Sequence, residues 1–207
     1  MLNSVQTDDG FIQPSKIVCV GQNYLEHIKE LGNTVPSELV VFCKQNSSIT
    51  TTLNAFDGET LHYEGELSFM VTAGEFSHVG FGLDLTKRKL QKTLRAEGLP
   101  WERAKAFNGA ALFSAFSRIE NIQDKLDSLN FNLKINNVMV QAGSPADMLF
   151  KPLDILVKIK EFMSLADGDI IMTGTPSGVG EVVAGSTFIG TVQQNNTTIA
   201  QQSWIAN

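Results

Sequence analysis

Residues 61–72 alternate polar and apolar side chains with the period of a strand, and two glutamates, Glu64 and Glu66, lie inside that run. Successive strand side chains point to opposite faces. Glu64 and Glu66 therefore project to one side, about 7 Å apart along the chain, while Leu67 and Phe69 project to the other. Two carboxylates on one strand face repel each other unless protons or a cation intervene. Any fold that accepts this strand must leave that face in water or supply the charge that reconciles the pair. A divalent ion held by oxygen ligands alone is of the Mg²⁺, Mn²⁺ or Ca²⁺ type rather than zinc or copper. Spacing by itself leaves three readings open: a solvated strand face, a cation site, and a glycosidase dyad.

The remaining pattern is of short strands with a few helices between them. Residues 16–20 read as a buried strand ended by Gly21, residues 38–44 as another, and residues 169–173 as a third that runs into the glycine-rich stretch 174–180. Residues 131–135 and 138–141 form a predicted hairpin across Asn136-Asn137, a two-residue turn that asparagine tolerates. Residues 186–204 are strand-like again. A short helix follows Asn23 as its cap, with Glu26 at the capping-box position and Gly32 as a left-handed stop. Residues 86–97 place Leu90 and Leu94 on one helical face and close at Gly98 and Pro100. Residues 151–165 begin with Pro152 and turn Leu156, Ile159, Phe162 and Met163 inward. No repeat, low-complexity tract or linker divides the sequence. The expectation is an N-terminal extension over residues 1–15 and one domain over 16–207, α+β in class, with a β-rich mixed-sheet core.

Composition removes several function classes. A hydrophobic share of 43% with 18% charged residues is ordinary for a globular chain. A net charge of −6 without a basic stripe speaks against nucleic acid. The longest strongly apolar run, residues 39–43, falls far short of the ~20 residues that cross a bilayer. No basic segment precedes an apolar stretch near Met1, so the expected location is cytoplasmic. Cys19 and Cys43 sit in apolar runs and read as small buried residues in a reducing compartment.

Six segments, in order, carry a resemblance. They are Val18-Cys-Val-Gly-Gln-Asn-Tyr-Leu-Glu-His27, His62-Tyr-Glu-Gly-Glu-Leu67, Leu83-Asp-Leu-Thr-Lys-Arg-Lys-Leu-Gln91, Pro100-Trp-Glu-Arg-Ala-Lys-Ala-Phe107, Ala146-Asp-Met148 and Gly168-Asp-Ile-Ile-Met-Thr-Gly-Thr-Pro-Ser-Gly-Val-Gly180. Together they resemble the fumarylacetoacetate hydrolase family in its short bacterial branch of acylpyruvate hydrolases and hydroxymuconate-type isomerases. The resemblance implies the β-rich C-terminal fold of that family and a homodimer. It also implies that Glu64, Glu66 and Asp84 hold Mg²⁺ or Mn²⁺, with His62 a neighbour rather than a ligand. Three carboxylates leave coordination positions for water and a chelating substrate.

Other site residues rest on the same resemblance. His27 and Glu30, three apart on one helix face, match a water-activating pair on a mobile lid; taken alone they are a common surface pair. Arg88 and Gln91 match substrate-contacting residues, although their default reading is a solvated helix face. Lys105 matches a lysine that stabilises developing charge. Thr175 matches a residue that bonds the substrate carboxylate, in a glycine-rich loop lacking the Gly-Lys-Ser/Thr ending of a phosphate loop. The implied activity is C–C hydrolysis of an acylpyruvate such as fumarylpyruvate through a metal-stabilised enolate. The same site also suits an oxaloacetate tautomerase or decarboxylase, a hydroxymuconate-type isomerase, or a binder of metal and keto acid without turnover. Gln22, Lys89, Asn108, Ala110-Ala111 and a shortened stretch at 75–82 depart from the common pattern and bear on substrate identity.

Overall fold

Hydrophobic runs too continuous for a one-sided sheet build the centre of the molecule. In the strand Lys16–Gly21, the residues Ile17, Val18, Cys19 and Val20 are all buried, so both faces are covered. The computed structural model describes residues 2–207. This strand lies in a seven-stranded sheet. Across that sheet run Ser117–Arg118, Glu75–Asp84, Gly65–Thr72, Ile170–Met172, Lys16–Gly21 and Val40–Gln45, with Ala111–Phe113 also paired to Glu75–Asp84. Ile170–Met172 runs parallel to Lys16–Gly21 and antiparallel to Gly65–Thr72, which makes the sheet mixed.

A second sheet is wholly antiparallel, in the order Val138–Gly143, Leu129–Ile135, Thr187–Gln194, Thr197–Ile205. The Asn136-Asn137 turn forms as expected, with φ of 50° and 67°, and Asn195-Asn196 repeats the device at 48° and 64°. Two positive φ values are what a two-residue hairpin turn requires. The two sheets meet through aromatic rings. Phe81 lies 6.2 Å from both Phe131 and Trp204 between ring centroids. The strand Thr187–Gln194 comes so near that a β-carbon at Gly190 would fall 2.1 Å from the Phe81 ring. The fold is thus α+β and strand-rich, with short helices at Leu25–Glu30, Arg88–Ala96, Glu102–Lys105 and Pro152–Lys160.

Three local expectations are corrected. The run 61–72 is not one strand. It breaks at Glu64, so that Leu61–Tyr63 joins a small sheet with Gly180–Glu181 and Thr86–Lys87, while Gly65–Thr72 enters the central sheet. Asn23 does not cap the first helix. It is fully buried, donating to the carbonyls of Phe150 and Thr173 and accepting from the Phe150 N–H, while Glu26 pairs with Lys29. Tertiary partners for all of its amide atoms outweigh one capping bond. Phe162 is exposed because the last helix ends at Lys160, before the inward face comes round again; Leu156 and Ile159 are buried as expected.

Asp169 fastens the start of the core strand to the rest of the sheet. Its buried carboxylate accepts from Ser15 N–H and hydroxyl, from the N–H groups of Lys16 and Ala166, and from the Lys16 ammonium. Burial would raise its pKa, but the Lys16, Ser15 and backbone donors outweigh burial and hold it below the ordinary value. A carboxylate with a lowered folded-state pKa stabilises the fold above the usual carboxylate range and loses that contribution as pH falls through its lowered value. Asp169→Asn is therefore expected to cost about 2–3 kcal/mol near pH 7. The gap from wild type should narrow below about pH 4, as urea denaturation across pH will show.

Candidate metal and substrate site

Antiparallel pairing creates the acidic cluster. Glu66 sits opposite Gly82 and Gly65 opposite Leu83, and the Asp84 N–H donates to the Glu64 carbonyl at 2.9 Å. The three carboxylates at 64, 66 and 84 offer oxygens that all lie within 4.8 Å of one another, and each residue is buried. Glu64 itself occupies the break between the three-stranded sheet that holds Leu61–Tyr63 and the central sheet that holds Gly65–Thr72.

Cations surround the cluster. Lys105 Nζ donates to Glu64 Oε2 at 2.8 Å and to Asp84 Oδ2 and Thr86 Oγ1 at 2.7 Å, using all three of its donors. Arg88 bonds Glu64 through one nitrogen and Gln91 Oε1 through another, at 2.8 Å for the latter. Lys44, buried completely, places Nζ 2.7 Å from Asp84 Oδ1 and donates to the carbonyls of Leu85 and Lys105. Burial pushes the Glu64 carboxyl up, yet Lys105 and Arg88 overcome it and hold Glu64 well below the usual range. Burial lowers Lys105 in turn, but Asp84 and Glu64 raise it above its ordinary value. Glu66 differs. Burial together with the charges of Asp84 and Glu64 drives its pKa well up, opposed by Lys105 and one N–H from Gly174.

These residues fit a hard divalent cation. All donors are oxygens. Asp84 Oδ1 is buried without an aligned hydrogen bond despite the nearby Lys44, and Glu66 faces two carboxylates with one amide for support.

A narrow cavity of about 30 Å³ opens beside the cluster, with Glu64, His27, Arg88, Gln91, Lys105 and Trp101 in its wall. His27 Nδ1 lies 3.1 Å from Glu30 Oε2, and Glu30 Oε1 accepts from the Gly178 N–H at 3.0 Å. The short helix is thereby tied to the glycine-rich loop. A β-carbon at Gly178, where φ is +97°, would fall 2.1 Å from the Val140 carbonyl oxygen. Thr175 stands apart from this cavity wall. Its hydroxyl donates to the Gly65 carbonyl and accepts from Gln141 Nε2, while Gln141 Oε1 accepts from the Gly65 N–H. His62 is half-buried, 3.9 Å from Glu181, and outside the acidic triad; burial first and Arg88 second lower its pKa.

Three contributors escape a reading of the chain alone. Lys44 closes the apolar run 39–43 and looks like a strand-end surface lysine. Gln141 ends a predicted strand, and Arg95 sits on a helix face that reads as solvated.

A strand-rich domain that buries three carboxylates among lysines, an arginine and a histidine–glutamate pair defines an acid-cluster class of domain, able to hold a hard cation beside a small cavity. Residues 16–203 match the fumarylacetoacetate (FAA) hydrolase C-terminal family, and the chain belongs to that enzyme family. It is 33% identical over 199 residues to oxaloacetate tautomerase YcgM of Escherichia coli K12, covering 89% of this chain and 91% of that protein. It is 37% identical over 190 residues to the mitochondrial oxaloacetate tautomerase FAHD1 of Arabidopsis thaliana, covering 84% and 85% of the two. Among solved structures, fumarylpyruvate hydrolase from Pseudomonas aeruginosa in complex with Mn²⁺ and pyruvate superposes with a TM-score of 0.87 at 25% identity, covering 99% of this chain and 95% of that one. No helix among the described residues is long and apolar enough to cross a membrane.

Lys105 is the ammonium that bridges Glu64 and Asp84. Its replacement by methionine leaves both carboxylates short of a buried counter-charge, so Lys105→Met is expected to lose about 3–5 kcal/mol in metal-free buffer, measured by urea denaturation.

Proposed function

We propose that this protein catalyses keto–enol interconversion of a small 2-oxo acid of the oxaloacetate type, with Mg²⁺ or Mn²⁺ held by Glu64, Glu66 and Asp84. The observation that carries the reading is the buried carboxylate triad, one member of which, Glu64, lines a cavity whose wall also holds His27, itself oriented by Glu30. When bound, such an ion draws electron density from the carbonyl of a 2-oxo acid and so acidifies the neighbouring C–H.

The chain's own residues do the rest. Glu30 engages Nδ1 of His27 and leaves Nε2 as the ring atom that takes a proton from C3 and returns it. The Glu30 carboxylate supports the imidazolium formed in that exchange. Lys105, fixed by Glu64, Asp84 and Thr86, holds positive charge in the cavity wall where oxygen gains negative charge. Arg88 is braced by Glu64 and Gln91 and keeps its guanidinium fixed at the same wall. The relatives named as oxaloacetate tautomerases support this choice.

A second reading, hydrolysis of an acylpyruvate, is supported by the likeness to the fumarylpyruvate hydrolase holding Mn²⁺ and pyruvate. There the His27–Glu30 pair would activate water at C4 instead of moving a proton at C3. A binder without turnover has no use for this base.

The deciding assay follows the enol–keto ultraviolet signal of oxaloacetate, and pyruvate release from fumarylpyruvate, acetylpyruvate and oxaloacetate, with Mg²⁺, Mn²⁺ or EDTA. Metal-dependent tautomerisation that drops at least ~100-fold in His27→Ala and in Glu66→Ala is the expected outcome. Metal-dependent pyruvate from an acylpyruvate without tautomerisation transfers the assignment to the hydrolase. Silence in every channel rejects both. If Mg²⁺ fails to raise the melting temperature of EDTA-treated protein, the metal site itself is rejected.

A further inference from the structure

We propose that Arg95 binds a second, distal carboxylate of the substrate, which makes this a site for dianionic 2-oxo acids in preference to monoanionic ones; the inference rests on the reading of the site given above. The inner cavity, at about 30 Å³, has room for little more than a water-sized group. It shares Leu31, Asn33, Arg88, Gln91 and Arg95 with a wider outer depression of about 520 Å³. A second depression, of about 410 Å³, meets the inner cavity only at Phe42 and Trp101, so the five shared residues make the first the broader way out for a substrate larger than its reacting end.

The charge there has one sign. Arg88, Lys92 and Arg95 line the outer depression, and no carboxylate does, on a chain whose net charge is −6. Arg88 is already committed to Glu64 and Gln91. Arg95 has no ion-pair partner among the described residues and lines both chambers, whereas Lys92 lines only the outer one. Arg88, Gln91 and Arg95 follow the three- and seven-residue spacing of one helical face. The Arg95 guanidinium also lies over the Trp101 ring, 5.8 Å from its centroid, and Trp101 lines the inner cavity too. Stacking on an indole holds a guanidinium in place at little entropic cost and leaves its N–H fork free for a carboxylate. The field is strengthened by low-dielectric walls, and a fixed fork takes two carboxylate oxygens together.

Calorimetric titration of the Mg²⁺-loaded protein with oxaloacetate, a dianion, and with pyruvate, a monoanion, tests this. Wild type should prefer oxaloacetate, and Arg95→Gln should shrink the ratio of the two dissociation constants about 10-fold or more, with Arg95→Lys recovering part of it. An unchanged ratio in Arg95→Gln overturns the proposal, as does an equal weakening of both ligands. So does a shift of the ratio in Lys92→Gln but not in Arg95→Gln. If wild type binds neither acid with Mg²⁺ or Mn²⁺ present, the reading of the site as a keto-acid site fails, and the assignment of Arg95 falls with it.

Discussion

The structure depends on a negative charge cluster kept inside a protein core. Glu64, Glu66 and Asp84 are each buried, and their oxygens crowd within 4.8 Å. Burying one carboxylate without a partner is prohibitive, and three together are worse. Lys105, Lys44 and Arg88 supply the opposing charge, and their positions in turn fix much of the nearby architecture. Lys44 lies on the edge strand Val40–Gln45, Lys105 on a one-turn helix, and Arg88 begins the helix that forms one wall of the cavity. Lys44 also donates to the carbonyl of Lys105, so the two ammonium groups are coupled through backbone as well as through Asp84. Three cations do not settle the cluster evenly. Glu64 and Asp84 receive the lysines, whereas Glu66 keeps one amide, and this unevenness leaves a gap in charge that a divalent ion would fill.

Support for the cluster comes from both sheets. Gln141, on the antiparallel sheet, holds Gly65 and Thr175 together and thereby fixes the backbone between the two glutamates to the glycine-rich loop. Gly178 performs a similar service for the short helix Leu25–Glu30, because its N–H holds Glu30 while its bare α-carbon packs against the Val140 carbonyl. Thr175 belongs with these braces by its hydrogen bonds: its hydroxyl already serves Gly65 and Gln141.

Local rules account for what could be read from the chain. Continuous apolar runs marked the central strands, paired asparagines marked the hairpin turn, and Gly32 and Gly98 take positive φ at helix ends. Period-2 alternation placed Glu64 and Glu66 on one side. It could not show that the strand changes sheets at Glu64, since the alternation passes through that point unbroken and only Gly180–Glu181 and Thr86–Lys87 divert it. Asn23 was misread for a related reason. An asparagine before a helix has a strong local role, and only contacts with Phe150 and Thr173, far along the chain, override it. The role of Lys44 is not local, because the carboxylate that defines it, Asp84, arrives from another strand forty positions along; Arg95 meets Trp101 only six positions on, but the cavity that gives the pair meaning is assembled by tertiary contacts.

The strand order of the central sheet bears on how the molecule is made. Ile170–Met172 fills the slot between Lys16–Gly21 and Gly65–Thr72, and none of these three strands is next to another in the chain. On the ribosome, the first two emerge long before the one that joins them. Each must wait with an open edge, and waiting edges are where chains pair with the wrong neighbour. Contacts this distant along the chain also close slowly. Early segments of this protein are therefore natural clients for chaperones, and their vulnerable interval lasts until synthesis has passed Met172.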